Sequence, residues 1–349
     1  MKTLYPLLAV VLLIWVVLAG ASEVDLRFFL GVVVPYVAIA LFIFGFVYRV
    51  LKWAHSPVPF RITTTCGQQK SLPWIKSSNL ESPHDVFGVI GRMALEVLLF
   101  RSLFRSTRAE LRGRRLVFSE QKYLWAAGLA FHWSMLVIFL RHYRFFTEPV
   151  PVFVTFLQGV DGFLKVGVPE VYVSSVTVLL ALTYLLIRRL AIPAVRYISL
   201  PSDYFPLFLL LGIAGSGFLM RHVYRVDVER VKELMIGLIT FHPVVPSDIG
   251  AIFYVHFFLV SVLAVYFPFS KLMHLGGIFL SPTRNLANNS RARRHVNPWN
   301  RPLPVHTYAE WQEEFKDKLV AAGIPLDSDS EHLEERADGQ PREHQDILA

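Results

Sequence analysis

Long apolar runs separated by shorter polar ones occupy most of this chain. Six are long enough to cross about 30 Å of hydrocarbon as helices, at roughly 4–21, 28–51, 122–142, 170–190, 203–221 and 250–273. None has the alternating period of a barrel strand. The first run, Leu4 to Ala21, lies behind Lys2 and ends in the small residues Ala19, Gly20, Ala21 and Ser22, a pattern shared with signal peptides. Its length favours an uncleaved anchor, and keeping it gives an even number of spans. The pattern predicts an all-α fold, a polytopic membrane bundle of six transmembrane helices.

The stretches between runs carry patterns of their own. Within 52–121, Val86-Phe87, Ile90, Met93-Ala94, Val97-Leu98 and Leu103-Phe104 recur at helical spacing against Arg92, Arg101, Arg105 and Arg108. This predicts an amphipathic helix, lying on the inner membrane surface or packed under a soluble partner. The stretches 143–169 and 222–249 are rich in Phe, Leu, Met and Ile and predict short re-entrant or interfacial segments. From Ser281 the chain turns polar and ends in an acidic tail around Asp327–Glu335, expected to be disordered or ordered only on a partner. The organisation expected is an anchor helix over 1–27, a membrane domain over 28–280 that includes the basic loop 52–121, and a tail over 281–349.

Composition narrows the class. Hydrophobic residues make up 54%, charged residues 18%, and mean hydropathy is +0.44, which excludes an ordinary soluble domain. The net charge of +8 is distributed unevenly. Arg49, Lys52 and Arg61, then Arg108, Arg112, Arg114, Arg115 and Lys122, then Arg188, Arg189 and Arg196 fall in alternate loops, while the opposite loops mix fewer bases with acids. The positive-inside rule makes the basic loops and both termini cytoplasmic, in a multi-pass protein of a prokaryotic inner membrane. Membrane lipid rather than nucleic acid is the counterpart of the charge. Cys66 is the only cysteine, which excludes an internal disulfide, a CxxCH haem attachment and a cysteine-ligated iron–sulfur cluster.

Four histidines then stand out. His132 and His142 are 10 residues apart in the third run, and His256 and His274 are 18 apart in or beside the sixth. An imidazole in hydrocarbon is costly unless compensated, and a haem iron compensates it by coordination. The two helices run antiparallel, so His142 faces His256 toward the outer side and His132 faces His274 toward the inner. On ideal helices the two offsets are about 15 and about 27 Å, a mismatch of about 12 Å that tilt, rotamers and a kink at Pro268 must absorb. The crossed pairing demands larger slants. Two bis-histidine haem b groups are expected, with these four residues as iron ligands.

Several neighbours carry two readings. Ala126, Ala127, Gly128 and Ala130, with Gly212, Ala214, Gly215, Ser216 and Gly217, suit close helix packing or room for a macrocycle. Arg141, Arg144 and Arg221 at the outer rim and Lys271 at the inner end suit haem propionates or snorkelling. His222 and His242 suit a quinone site or an ordinary interface, and the remaining histidines read as solvated. The competing class is a transporter or scaffold without haem, its histidines serving proton relay or packing.

The paired histidines at spacings of 10 and 18 resemble the cytochrome b (gamma) subunit family of respiratory nitrate reductase, over roughly residues 28–275. That resemblance implies outer-haem ligands at His142 and His256 and inner-haem ligands at His132 and His274. The extra first run, the long basic loop and the extended tail look more like the branch containing the M subunit of the sulfite-reduction-associated DsrMKJOP complex and related heterodisulfide-reductase membrane cytochromes. What this branch implies is electron transfer between menaquinone near the outer face and a cytoplasmic iron–sulfur (DsrK-like) subunit in sulfite or sulfate respiration, with further membrane and periplasmic subunits. The alternative is the gamma subunit of a nitrate reductase or of a heterodisulfide reductase-type complex. Arg141, Arg144, Arg221, Asp227 and His242 are the outer polar residues that would meet the quinone, and Asn297–Pro304 is a docking stretch for the partner.

Overall fold

The computed structural model describes residues 2–21, 23–56, 67–162, 170–291 and 306–327. The chain opens with α1 (Leu4–Gly20), then α2 (Val24–Phe28), which passes through a π-helical turn at Phe29–Val33 into α3 (Val34–Ala54). The amphipathic segment follows as α4 (Val86–Leu99) and α5 (Arg101–Phe104), then a hairpin of β1 (Thr107–Arg112) and β2 (Arg115–Glu120). Next come α6 (Lys122–Arg141), α7 (Val152–Asp161), α8 (Val173–Ala191), α9 (Pro193–Ile198), α10 (Pro201–His222), α11 (Val228–Ile239) and α12 (Ala251–Tyr266). The last helices of this unit are α13 (His274–Leu280) and α14 (Pro282–Asn285).

Among the described residues, five helices are long and apolar enough to cross a membrane: Asp25–Ala54, Lys122–Phe145, Val173–Ala191, Pro201–His222 and Ala251–Phe269. The sixth expected span, α1, is an apolar helix of 17 residues, about 26 Å long at ideal rise. This is a multi-pass helical membrane bundle. Its helices expose Phe44, Phe139 and Leu180 while packing one another with residues such as Val17, Leu209, Leu234 and Leu259, the arrangement expected when the solvent is hydrocarbon. α6 packs along α8, α8 on α10, and α10 on α12, while α1 and α3 lie against α12 on another side. Contact between α6 and α12 is at most sparse, so the ring of four is left open at that seam.

Four features differ from expectation. The sixth run is not one helix: α12 gives way to a 3₁₀ turn at Phe267–Phe269, Ser270 is extended at φ −112°, ψ 178°, and a second 3₁₀ turn at Lys271–Met273 leads into α13. Pro268 supplies no backbone donor, and the Ser270 hydroxyl caps the restart by accepting from Leu272 N at 3.1 Å. The basic loop contains the two-stranded hairpin, closed by Gly113-Arg114 with Gly113 at φ +63°, a small β element in an otherwise helical fold. The amphipathic helix is broken at Phe100, and Arg92 and Glu96 are buried, while Val86, Phe87, Ile90 and Leu98 are exposed. In the expected tail, α15 (Tyr308–Ala321) is a helix in a separate unit, its start fixed by a capping box between Thr307 and Glu310. Asn297–Pro304 and nearly all of the acidic tail lie outside the described residues. The stretches at 143–169 and 222–249 contain the short helices α7 and α11, with 163–169 outside the described residues.

Candidate functional site

The opening between α6 and α12 is spanned by histidines. His132 and His274 have ring centroids 5.9 Å apart, and those of His142 and His256 are 6.5 Å apart. The mismatch calculated for straight helices does not arise, because the break after Tyr266 ends the ideal rise before His274 is reached and His142 begins a 3₁₀ turn.

Each imidazole is oriented by its Nδ1. That atom bonds Gly128 O at 2.7 Å in His132, Ile138 O at 2.6 Å in His142, and Lys271 O at 2.9 Å in His274. In His256 it meets Ile213 O and Ser216 Oγ, both at 3.0 Å. A carbonyl only accepts, so each Nδ1 carries the proton and each Nε2 keeps its lone pair. No described residue bonds any of the four Nε2 atoms. Gly217 makes room beside the His256 ring: a Cβ there would stand 3.2 Å from Cε1. At Gly215 no atom lies within 4 Å of where a Cβ would sit.

These pairs fit a haem iron. Metal–imidazole bonds of about 2 Å on both sides of one ion hold the ring centroids roughly 6 Å apart. No cluster of three or more His, Cys, Asp or Glu that could hold a metal occurs among the described residues, so two imidazoles are what either site offers. A macrocycle with four nitrogens of its own needs only two.

The arginines are more engaged than their sequence positions suggested. Arg141 is ion-paired with Asp161, donates to Ser174 Oγ at 3.1 Å and lies 3.5 Å from the centre of the Tyr172 ring. Arg221 covers the same ring at 4.1 Å and donates to Glu170 O at 3.2 Å. Asp161 also accepts from Ser174 N at 2.7 Å. Asp161, Tyr172 and Ser174 are thus partners that sequence reasoning missed; the only signal was an acid and an aromatic in an apolar loop. Arg144 lines a separate polar cleft of about 450 Å³ with Glu148, Glu229, Lys232 and Glu233, where Lys232 pairs with Glu148. Lys271 pairs with Asp203 at 2.6 Å and is largely exposed. Asp227 is the N-cap of α11, accepting from Glu229 N at 2.8 Å. His242 is exposed, bonded to Thr240 O at 2.8 Å. The His222 ring lies 4.4 Å from that of Phe218, tilted by 42°, and its buried Nε2 has no partner among the described residues.

Comparison with known proteins adds three likenesses. The family described as nitrate reductase gamma subunit matches residues 84–294, starting later than the expected 28 and running past 275. An Hdr-like menaquinol oxidoreductase cytochrome b-like subunit of Archaeoglobus fulgidus is 49% identical over 277 residues, covering 77% of this chain and 83% of the relative. A protein of the same description from Archaeoglobus profundus is 41% identical over 282 residues, covering 78% of this chain and 83% of the relative.

Proposed function

The chain belongs to the nitrate reductase gamma subunit family, and from that premise we propose that it is a dihaem cytochrome b subunit carrying electrons between menaquinone and a partner subunit. The observation that supports this reading best is the two facing imidazole pairs at 5.9 and 6.5 Å, each ring held through Nδ1 with Nε2 available. His142 and His256 are the proposed ligands of the outer haem, and His132 and His274 of the inner. Bound there, haem supplies one-electron chemistry at the iron.

The protein's own part is positional. Carbonyl bonds fix the tautomers, and the charge around each site adjusts its potential. At the His142 end, Arg141 and Arg221 contribute two guanidinium charges against the one carboxylate of Asp161. The imbalance favours an anionic neighbour such as a propionate. Menaquinol is assigned to this outer end, where its protons can leave outward, with Arg144, Asp227 and His242 at the rim as candidate contacts. The relatives' description names a subunit of an Hdr-like menaquinol oxidoreductase, which supports this choice of substrate over nitrate chemistry. The electron acceptor is proposed to be a cytoplasmic iron–sulfur subunit of the heterodisulfide-reductase or DsrK kind, acting on disulfide- or trisulfide-type substrates in sulfite or sulfate respiration. Both termini are assigned to the same cytoplasmic side.

Purified protein should show a dithionite-reducible b-type spectrum with two haems per chain and be reduced by a menaquinol analogue. A colourless protein would defeat the proposal. Co-purification from native membranes should bring an iron–sulfur subunit, whose identity tests the sulfur branch.

A further inference from the structure

The two histidine pairs differ in the rotation of their rings. The planes of His142 and His256 are 12° apart, whereas those of His132 and His274 are 81° apart. When two imidazoles bind opposite faces of one ferric iron, parallel planes split the pair of metal d orbitals that overlap their π systems. Perpendicular planes leave that pair nearly degenerate. The first arrangement gives a rhombic low-spin paramagnetic signal, the second a strongly anisotropic one.

What holds His132 crosswise is visible in its surroundings. Phe131 and Phe100 each meet its ring edge-to-face, at 4.9 Å with interplanar angles of 80° and 82°. Phe131 is its chain neighbour; Phe100 arrives from the α4–α5 junction. There Phe100 adopts φ 50°, ψ 46°, the left-handed region in which helices usually end on glycine and which a bulky side chain occupies only under constraint. The constraint is built from α6. The Trp125 and Trp133 indoles donate to Leu99 O at 2.7 Å and Leu98 O at 3.0 Å, occupying the last carbonyls of α4, and the Phe100 amide donates to Leu95 O. Glu96 receives Ser102 N at 3.2 Å and Arg284 at 2.8 Å, tying the same turn to α14.

We propose that Phe100 is a positioning residue that keeps the His132 ring across the plane of His274, so that the iron held by this pair is electronically distinct from the iron held by His142 and His256. The proposal rests on the dihaem reading. It is tested by paramagnetic resonance of the oxidised, haem-loaded protein, with haem content and a redox titration measured alongside. The wild-type protein should give one strongly anisotropic and one rhombic signal. Phe100→Gly suits the left-handed backbone and deletes only the ring; it should retain two haems and move the anisotropic signal toward the rhombic one, which stays in place. Phe100→Tyr keeps the ring and should keep the wild-type signal. The proposal is overturned if Phe100→Gly leaves the anisotropic signal unmoved, if Phe100→Tyr moves it as far, or if both signals move or both haems are lost together. Two rhombic signals in the wild-type protein would overturn it while leaving the dihaem reading intact; a protein without b-type haem would overturn both.

Discussion

At the scale of single residues, the decisive atoms are four backbone carbonyls. Because they accept from Nδ1, they aim the lone pairs of His132, His142 and His274 away from the segment that holds each ring, and that of His256 away from α10. Replacing His142 or His256 with Ala should halve the haem content and spare the His132–His274 pair, and replacing His132 or His274 should do the reverse, as counted by pyridine haemochrome. Loss of both haems from every single variant would contradict two separate sites. Gly217→Ala puts a methyl group 3.2 Å from the His256 ring, so it should lower occupancy at the His142–His256 site alone. Asp161→Ala strands the Arg141 guanidinium, whose side chain is 12% exposed, and should cost about 3–5 kcal/mol, read as a lowered unfolding midpoint. The histidines were legible in the sequence because helical spacing and antiparallel topology sort them by depth. The Arg141–Asp161–Tyr172 cluster was not, because Arg141 meets residues 20 and 31 positions away that no local pattern relates to it.

At the scale of elements, breaks matter as much as helices. The interruption after Tyr266 delivers His274 to His132, and it packs on Gly45 of α3, where a Cβ would stand 2.8 Å from the Phe269 ring and 2.9 Å from Pro268. Gly45→Val should therefore displace this turn and reduce haem at the His132–His274 pair, leaving the other; equal loss at both would point to general misfolding instead. Pro268 announced a kink in the sequence, but the extended Ser270 and the second 3₁₀ turn depend on packing that a linear pattern does not carry. The same holds for α4. Its period was readable, yet the inward turn of Glu96 goes with its ion pair to Arg284, 188 residues away. The hairpin escaped notice because no residue of β2 is fully buried and Leu116, Val117 and Phe118 are apolar in succession, which gives that strand no period of two in the sequence.

At the scale of the whole molecule, the parity of spans depends on α1. It packs against α10 and α12 and buries Val10 and Val17. If it crosses the membrane, the number of spans is even, and reporter fusions at the two termini should give the same cytoplasmic readout. A ligand that binds only the folded state stabilises it by about 2.7 kcal/mol at a hundredfold excess over its dissociation constant. Haem-depleted protein should therefore unfold earlier, and hydrogen exchange should rise most along α6, where only Ser134 is buried. The open seam between α6 and α12 also bears on the order of biogenesis. Helices that already stand apart need not separate to admit a flat guest, so the apoprotein can complete its insertion first and receive the guest sideways. Haem added to the folded apoprotein in detergent should then restore both b-type centres without a refolding step.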